Sequence, residues 1–146
     1  MMPLRNARRF FYKTLKQPAY AFRVFIKRMG ASISYSFSKG RSIYPEAITL
    51  FLTYNCNLHC KMCGQWGESG ITKKKPQQYR KEELSLAEFK ALIDDVVHFK
   101  PNITLFGGEP LLYRDILELI KYIKQKDMHC LMITNGSLLE GAGKDI

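Results

Sequence analysis

Between residues 46 and 136, hydrophobic positions recur alternately with the strand period of two residues and with the helical period of about 3.6 residues. This pattern predicts strands that alternate with helices. Residues 47–54 are apolar with a period of two and are rich in strand-forming residues, which is typical of a first strand. Residues 102–106 predict a second strand, and residues 128–134 predict a third. This order of elements favours an α/β fold.

Two helices are predicted between these strands. Ser85-Leu86-Ala87-Glu88 fits the S-x-x-E capping box that begins a helix, and Pro101 forbids its continuation. The buried stripe expected on this helix consists of Leu86, Phe89, Leu92, Ile93, Val96 and Val97. Residues 115–126 predict a second amphipathic helix, whose apolar side consists of Ile116, Leu119, Ile120 and Ile123.

The N-terminal segment has a different pattern, which is basic and aromatic. Residues 1–30 predict two short helices separated by Pro18. The second is amphipathic, with Phe22, Phe25 and Ile26 on one side and Arg23, Lys27 and Arg28 on the other. Residues 31–44 are rich in Ser and have the composition of a linker. We therefore predict an N-terminal extension with its linker over residues 1–44 and a catalytic module over residues 45–146.

The charge of the chain is divided in the same way. The net charge is +10 over 146 residues, yet residues 1–45 hold all of the excess, with ten Lys or Arg and no Asp or Glu. The hydrophobic content of 46% and the charged content of 25% are those of a soluble globular protein. The two segments therefore have different physical roles.

The basic amphipathic segment fits three roles. It can lie on an anionic membrane surface, it can pack its apolar stripe on the rest of the enzyme, and it also has the composition of an organelle transit peptide. Nucleic acid is not expected as a partner, because no recognisable nucleic-acid module accompanies the charge. No apolar run reaches the length of a transmembrane helix. A cytoplasmic protein is expected, with a peripheral membrane position as the alternative.

Three cysteines follow the first predicted strand with the spacing C-x3-C-x2-C, at Cys56, Cys60 and Cys63. On a helix, residues at this spacing would be spread along one face over about two turns, whereas a compact metal centre needs ligands around one point, so a loop is expected to wrap it. Thiolate is the usual ligand of iron-sulfur clusters. Three ligands leave one metal position open, which indicates chemistry rather than a closed structural site.

This cysteine spacing after a first strand, followed about one βα unit later by Gly-Gly-Glu-Pro at residues 107–110, resembles the radical SAM superfamily. The resemblance implies a 4Fe-4S cluster on Cys56, Cys60 and Cys63, with S-adenosylmethionine (SAM) on the remaining iron. It further implies reductive cleavage of SAM to a 5'-deoxyadenosyl radical, hydrogen abstraction from a substrate, and an external electron donor such as flavodoxin or ferredoxin. It assigns no catalytic residue beyond the cluster ligands.

The same resemblance implies further residues near the cofactor. The glycine-rich turn of the family meets the amino group of SAM, and here that turn is Gly107, Gly108, Glu109 and Pro110. The family usually has an aromatic residue before the third cysteine, where this chain has Met62, so packing near the adenine is expected to differ. Thr134 and Asn135 resemble the segment that closes the third strand of the family near the active site.

Several alternatives remain open from the residues alone. A zinc site could use the three cysteines with His59 or with Cys130, although Cys130 lies in an apolar strand and is more typical of a buried, inert thiol. Trp66 either shields the cluster or anchors its loop. Glu109 either lies beside the SAM amino group or fixes the turn and caps the next helix. The function alternative to an enzyme is a non-catalytic iron-sulfur or zinc-binding module.

The predicted elements correspond to half of the fold of the family. The core of the superfamily resembles a partial (β/α)6 barrel, and residues 46–146 predict three strands and two to three helices. We therefore expect the N-terminal half of such a barrel, preceded by the basic helical segment. A fragment of this kind is expected to be inactive alone, with an unpaired edge on its third strand.

Overall fold

The computed structural model describes residues 11–12, 14–37, 42–74 and 82–142. The chain divides into two compact units, Met1–Glu46 and Ala47–Ile146. Each unit has its own architecture, and the second contains the cysteines.

Three parallel strands form the sheet of the second unit. They are β1 (Ala47–Phe51), β2 (Asn102–Phe106) and β3 (Cys130–Met132), in the order β1-β2-β3. Ala47 lies opposite Asn102, and Ile103 lies opposite Cys130. Because the strands are parallel, their carboxyl ends meet at one edge, and the loops after all three strands begin there.

Four α-helices have both ends among the described residues: α1 (Pro18–Phe37), α2 (Leu86–Val96), α3 (Ile116–Gln125) and α4 (Leu139–Ala142); residues 11–12 and 14–16 are also helical. Short 3-10 turns cover Ile71–Lys74, Val97–Phe99 and Pro110–Leu112. The predicted capping box is confirmed, because the Glu88 N–H donates to Ser85 Oγ and the Ser85 N–H donates to Glu88 Oε2. The α/β class and the order of strands and helices are likewise confirmed.

The core lies between the sheet and the helices α2 and α3. Fully buried apolar residues come from all of these elements, namely Leu52, Phe89, Ile93, Ile103, Leu105, Leu119 and Ile123. The stripe of α2 is narrower than predicted, because Leu92 is 39% exposed and only Phe89 and Ile93 are buried. The helix ends at Val96, and Lys100 takes a left-handed conformation directly before Pro101.

Two strands are shorter than their hydrophobic patterns predict. β1 ends at Phe51, and residues 52–54 turn toward the loops at the sheet edge. The Leu52 N–H still donates to the Phe106 carbonyl over 2.9 Å. β3 is limited to Cys130–Met132, although single backbone bonds to β2 continue on either side at His129 and Ile133. Apolar character therefore extends beyond regular pairing, since Leu52 and Met128 are buried outside the strands while Ile133 is exposed.

The first unit contains α1, which is longer than predicted. The linker prediction is wrong for residues 31–37, because the helix continues through Gly30 and the following serines to Phe37. These residues weaken a helix by about 1 kcal/mol each at most, and no proline interrupts the segment before Pro45. Residues 38–41 of the predicted linker, and most of the first predicted helix, lie outside the described residues. Arg28 pairs with Glu46 across 3.0 Å.

Candidate functional site

The three cysteines lie on the loop that leaves β1. Cys60 is exposed, Cys56 and Cys63 are half-buried, and all three are free thiols. A turn brings the Cys63 N–H to the Cys60 carbonyl over 3.0 Å. Among the residues that the structure describes, no three His, Cys, Asp or Glu side chains converge on one point as a preformed metal site. The loop therefore presents the thiols in one region without a closed cage.

Backbone N–H groups of this loop point at two of the sulfur atoms. The Leu58 N–H lies 3.4 Å from Cys56 Sγ, and the N–H groups of Gln65 and Trp66 lie 3.4 and 3.5 Å from Cys63 Sγ. Hydrogen bonds to the ligating sulfurs are a normal feature of iron-sulfur sites, where they tune the cluster. The donor set and its surroundings therefore fit a cluster held by thiolates.

Glu83 fixes the start of the cysteine loop, a role for which the sequence carries no recognisable signal. Its Oε1 accepts from Thr53 Oγ1 at 2.5 Å, and from the Tyr54 N–H and Asn55 Nδ2 at 3.3 Å. Thr53 is fully buried, and its hydroxyl oxygen also accepts from the Asn55 N–H at 2.9 Å. This polar cluster holds the three residues that precede Cys56.

Gly107 and Gly108 pack directly against the same three residues. The Gly108 N–H donates to the Thr53 carbonyl over 2.7 Å, and the Glu109 N–H donates to the Asn55 carbonyl over 2.8 Å. A Cβ on Gly108 would lie 2.3 Å from the Asn55 carbonyl oxygen, and one on Gly107 would lie 2.6 Å from that of Thr53. The glycines are therefore required by the contact between two loops of the chain itself.

Glu109 is completely buried and is fully engaged with the protein. Its Oε1 accepts from the Leu111 N–H at 3.1 Å and from Thr134 Oγ1 at 2.7 Å, and its Oε2 accepts from the Asn135 N–H at 2.8 Å. The carboxylate therefore caps the 3-10 turn that begins at Pro110 and ties this turn to the residues after β3. Of the two roles open to Glu109, this geometry favours the fixing of the turn.

Trp66 anchors the far side of the cysteine loop. Its Nε1 donates to the Tyr54 carbonyl over 2.7 Å, and its ring stacks on His59 with centroids 4.8 Å apart. The anchoring role considered for Trp66 is thus present in the structure. His59 is thus engaged in a ring stack with Trp66.

The other predicted site residues have separate surroundings. Met62 is 95% exposed, and its proposed place near the adenine stays a prediction. Pro110 is buried at the first position of its turn. Cys130 lies at the beginning of β3, at the opposite end of the sheet from the cysteine loop, and burial raises the pKa of its thiol. A neutral, distant thiol does not fit the zinc alternative that uses Cys130.

Comparison with known proteins assigns the family. The sequence model of the Radical SAM superfamily matches residues 50–146, and the chain therefore belongs to this family. Members of the superfamily use a 4Fe-4S cluster and S-adenosylmethionine. Among the described residues, no helix is long and apolar enough to cross a membrane.

Three similar proteins have named activities. A Fe-coproporphyrin III synthase of Methanosarcina barkeri is 38% identical over 90 residues, which are 61% of this chain and 21% of that protein. An AdoMet-dependent heme synthase of the same organism is 34% identical over 96 residues, with 65% and 25% covered. A probable GTP 3',8-cyclase of Thermococcus kodakarensis is 31% identical over 100 residues, with 68% and 30% covered. The chain thus matches less than a third of the length of each.

We predict that Gly108→Ala disrupts the junction between the two loops, whereas Gly64→Ala is tolerated. The added methyl group at residue 108 collides with backbone, which is expected to cost about 1–3 kcal/mol of folding free energy and to reduce iron uptake. A Cβ on Gly64, directly after Cys63, meets no atom of the described chain within 4 Å. Urea unfolding and iron content measure both effects. Equal stability of the two variants would contradict the packing argument.

We predict that Glu109→Gln destabilises the protein by about 1–3 kcal/mol. Each carboxylate oxygen accepts from a backbone N–H, so in either orientation the NH2 group of the amide faces an N–H that can only donate. Glu118→Gln on α3 is the matched control, since its carboxylate is 60% exposed and contacts only Lys121 within its own helix. Urea unfolding curves of both variants give the comparison. A Glu109→Gln variant as stable as the control would show that the buried carboxylate is not needed for the junction.

Proposed function

We propose that this chain is the N-terminal part of a radical SAM enzyme, with a 4Fe-4S cluster on Cys56, Cys60 and Cys63 and with SAM beside residues 107–110. The observation that supports this most is the pair of backbone hydrogen bonds, 2.7 and 2.8 Å long, between residues 108–109 and residues 53–55. They make one structural unit of the two motifs that the family uses for cluster and cofactor. Neither motif can shift without the other.

A reduced cluster of this family supplies one electron to the sulfonium of SAM, which yields methionine and a 5'-deoxyadenosyl radical. The residues of this chain have three tasks toward that chemistry. The three thiols hold the cluster, the backbone N–H groups near Cys56 and Cys63 lower the energy of charge on sulfur, and Trp66 with Glu83 keeps the loop in place. An external electron donor, such as flavodoxin or ferredoxin, is part of the proposal.

The activities of the relatives support a role of this segment in cofactor binding rather than in substrate binding. Two relatives are named for porphyrin and heme products and one for GTP, which are chemically unlike molecules. All three share the segment that matches residues of this chain. Machinery common to such different substrates is expected to serve the step that they have in common, which is the cleavage of SAM.

We predict that anaerobic reconstitution of the chain gives about four iron atoms per molecule and a broad visible absorption. Ala variants of Cys56, Cys60 and Cys63 are each expected to lose most of the iron, because each removes one ligand. Cys130→Ala, which removes the remaining cysteine, is the matched control and should bind iron normally. One colourless zinc per chain would instead support the non-catalytic zinc module.

Addition of SAM then separates an enzyme from a passive iron-sulfur module. The electron paramagnetic resonance spectrum of the reduced cluster is expected to change when SAM binds its open iron. Release of 5'-deoxyadenosine under a strong reductant would show cleavage. A cluster whose spectrum ignores SAM would contradict the proposed function.

We also propose that α1 lies on an anionic membrane surface. The observation in favour is that no residue of this helix is buried, although Phe22, Phe25, Ile26, Met29 and Ile33 fall on one side of it at helical spacing. Arg23, Lys27 and Arg28 fall on the other sides. Partial burial and the neighbouring Arg23 lower the pKa of Lys27, whereas the hydrogen bond between Arg28 and Glu46 raises the pKa of Arg28. Apolar and basic groups together suit the boundary of an acidic bilayer.

We predict that the chain binds vesicles that contain phosphatidylglycerol and does not bind neutral phosphatidylcholine vesicles. Each basic residue near such a surface contributes about 1 kcal/mol, so binding should weaken at high salt. Phe25→Ser should weaken binding about tenfold or more, because one buried Phe is worth about 1.5–3 kcal/mol. Tyr35→Ser, which changes an exposed ring on another side of α1, is the control. Salt-independent binding, or none, would contradict this proposal.

A further inference from the structure

A closed ring of side-chain hydrogen bonds joins the cysteine loop to the turn after β3. Asn135 Nδ2 donates to Asn57 Oδ1 over 3.0 Å, Asn57 Nδ2 donates to Ser137 Oγ over 2.8 Å, and Ser137 Oγ donates to Asn135 Oδ1 over 2.6 Å. Each residue of this asparagine-serine ring thus donates once and accepts once within it. The ring connects positions about 80 residues apart in the sequence.

The ring has only one consistent direction, which fixes the orientation of the Asn135 amide. The backbone N–H of Ser137 lies 2.9 Å from Asn135 Oδ1 and can only donate. The amide oxygen must therefore face Ser137, and the NH2 group must face the cysteine loop. Exchange of the two amide atoms would place a donor against a donor at Ser137 and an oxygen against an oxygen at Asn57.

The Asn135 amide nitrogen also lies within hydrogen-bonding reach of Cys56. The nitrogen carries two hydrogens, of which one is used by Asn57 Oδ1, and Cys56 Sγ lies 4.0 Å from the same nitrogen. The Leu58 N–H approaches the same sulfur to 3.4 Å. Cys56 therefore has a backbone donor from its own loop and a side-chain donor from the turn after β3.

Asn135 is also held through its backbone. Its N–H donates to the buried Oε2 of Glu109 over 2.8 Å, so the residue is fixed at both its main chain and its side chain. The ring itself is exposed, and its bonds compete with water, so it is expected to add little to folding stability. What the arrangement determines is the direction of one N–H group toward one sulfur atom.

We propose that Asn135 is a positioning residue for Cys56, which orients the first ligand of the cluster and donates an N–H···S hydrogen bond to it. This inference rests on the proposed function, in which Cys56 is a cluster ligand. Reduction adds negative charge to a cluster, and a donor to a ligating sulfur stabilises that charge. The donor therefore raises the reduction potential, and its loss makes the cluster harder to reduce.

The test is a redox titration of the reconstituted 146-residue chain without SAM, followed by electron paramagnetic resonance. Asn135→Leu removes the donor at similar volume, and its midpoint potential should be more negative than that of the unsubstituted chain at equal iron content. Ser137→Ala is the control. It opens the ring, but the backbone N–H of residue 137 still orients the Asn135 amide, so the midpoint potential should stay near the original value. The absence of SAM matters, because replacement of a residue that only contacts SAM would not change the potential measured without it.

A second pair of variants decides the matter should Asn135→Leu fail to hold a cluster. Asn135→Asp and Asn57→Asp add the same charge to the same ring, but only the first places an oxygen opposite the Cys56 sulfur. Asn135→Asp should therefore have the more negative potential. Equal midpoint potentials in this pair, or in Asn135→Leu and the unsubstituted chain, would overturn the role of Asn135 but not the proposed function. An unsubstituted chain that takes up no iron would overturn the proposed function, and the inference with it.

Discussion

The contact between the loop after β1 and the loop after β2 is the constraint on which the site depends. Two backbone hydrogen bonds join residues 53 and 55 to residues 108 and 109, at separations that leave no room for a side chain at Gly107 or Gly108. The parallel sheet brings the ends of β1 and β2 to one edge, and the glycines allow the chains beyond those ends to meet. The cysteine loop and the turn at residues 107–110 thereby become a single surface.

Two carboxylates reinforce this contact, Glu109 fully buried and Glu83 partly buried. Glu109 accepts from three groups of the turns after β2 and β3, and Glu83 accepts from three groups of residues 53–55. An ionised carboxylate is costly to bury unless donors replace its hydration, and here backbone N–H and side-chain donors do so. The cost is offset only in this one arrangement of the loops. The two acids therefore select a conformation as well as stabilise it.

The two units of the chain meet different physical demands. The described residues of the second unit bury a core between sheet and helices, whereas α1 has no buried residue and leaves its apolar side exposed beside a concentration of basic residues. A packed core in one unit and an exposed apolar face in the other favour separate roles. We propose surface attachment for the first unit on the basis of that exposed face, and catalysis for the second on the basis of its cysteine loop.

Much of the fold and the chemical identity of the site could be predicted from the sequence, because both rest on local patterns. Period-two and helical stripes predicted the three described strands and the helices α2 and α3 of the second unit, and the capping box at Ser85 predicted where α2 begins. The spacing of Cys56, Cys60 and Cys63, with the turn at residues 107–110, indicated the family that comparison then confirmed.

The continuation of α1 to Phe37 was missed, because serine and glycine weaken a helix without forbidding it. Glu83, and the ring that holds Asn135 toward Cys56, were missed for another reason. Their partners lie 28 to 80 residues away, and a hydrogen bond over such a separation leaves no periodic trace in the chain. The sequence alone determined which groups are available, and only the tertiary structure decided which of them meet.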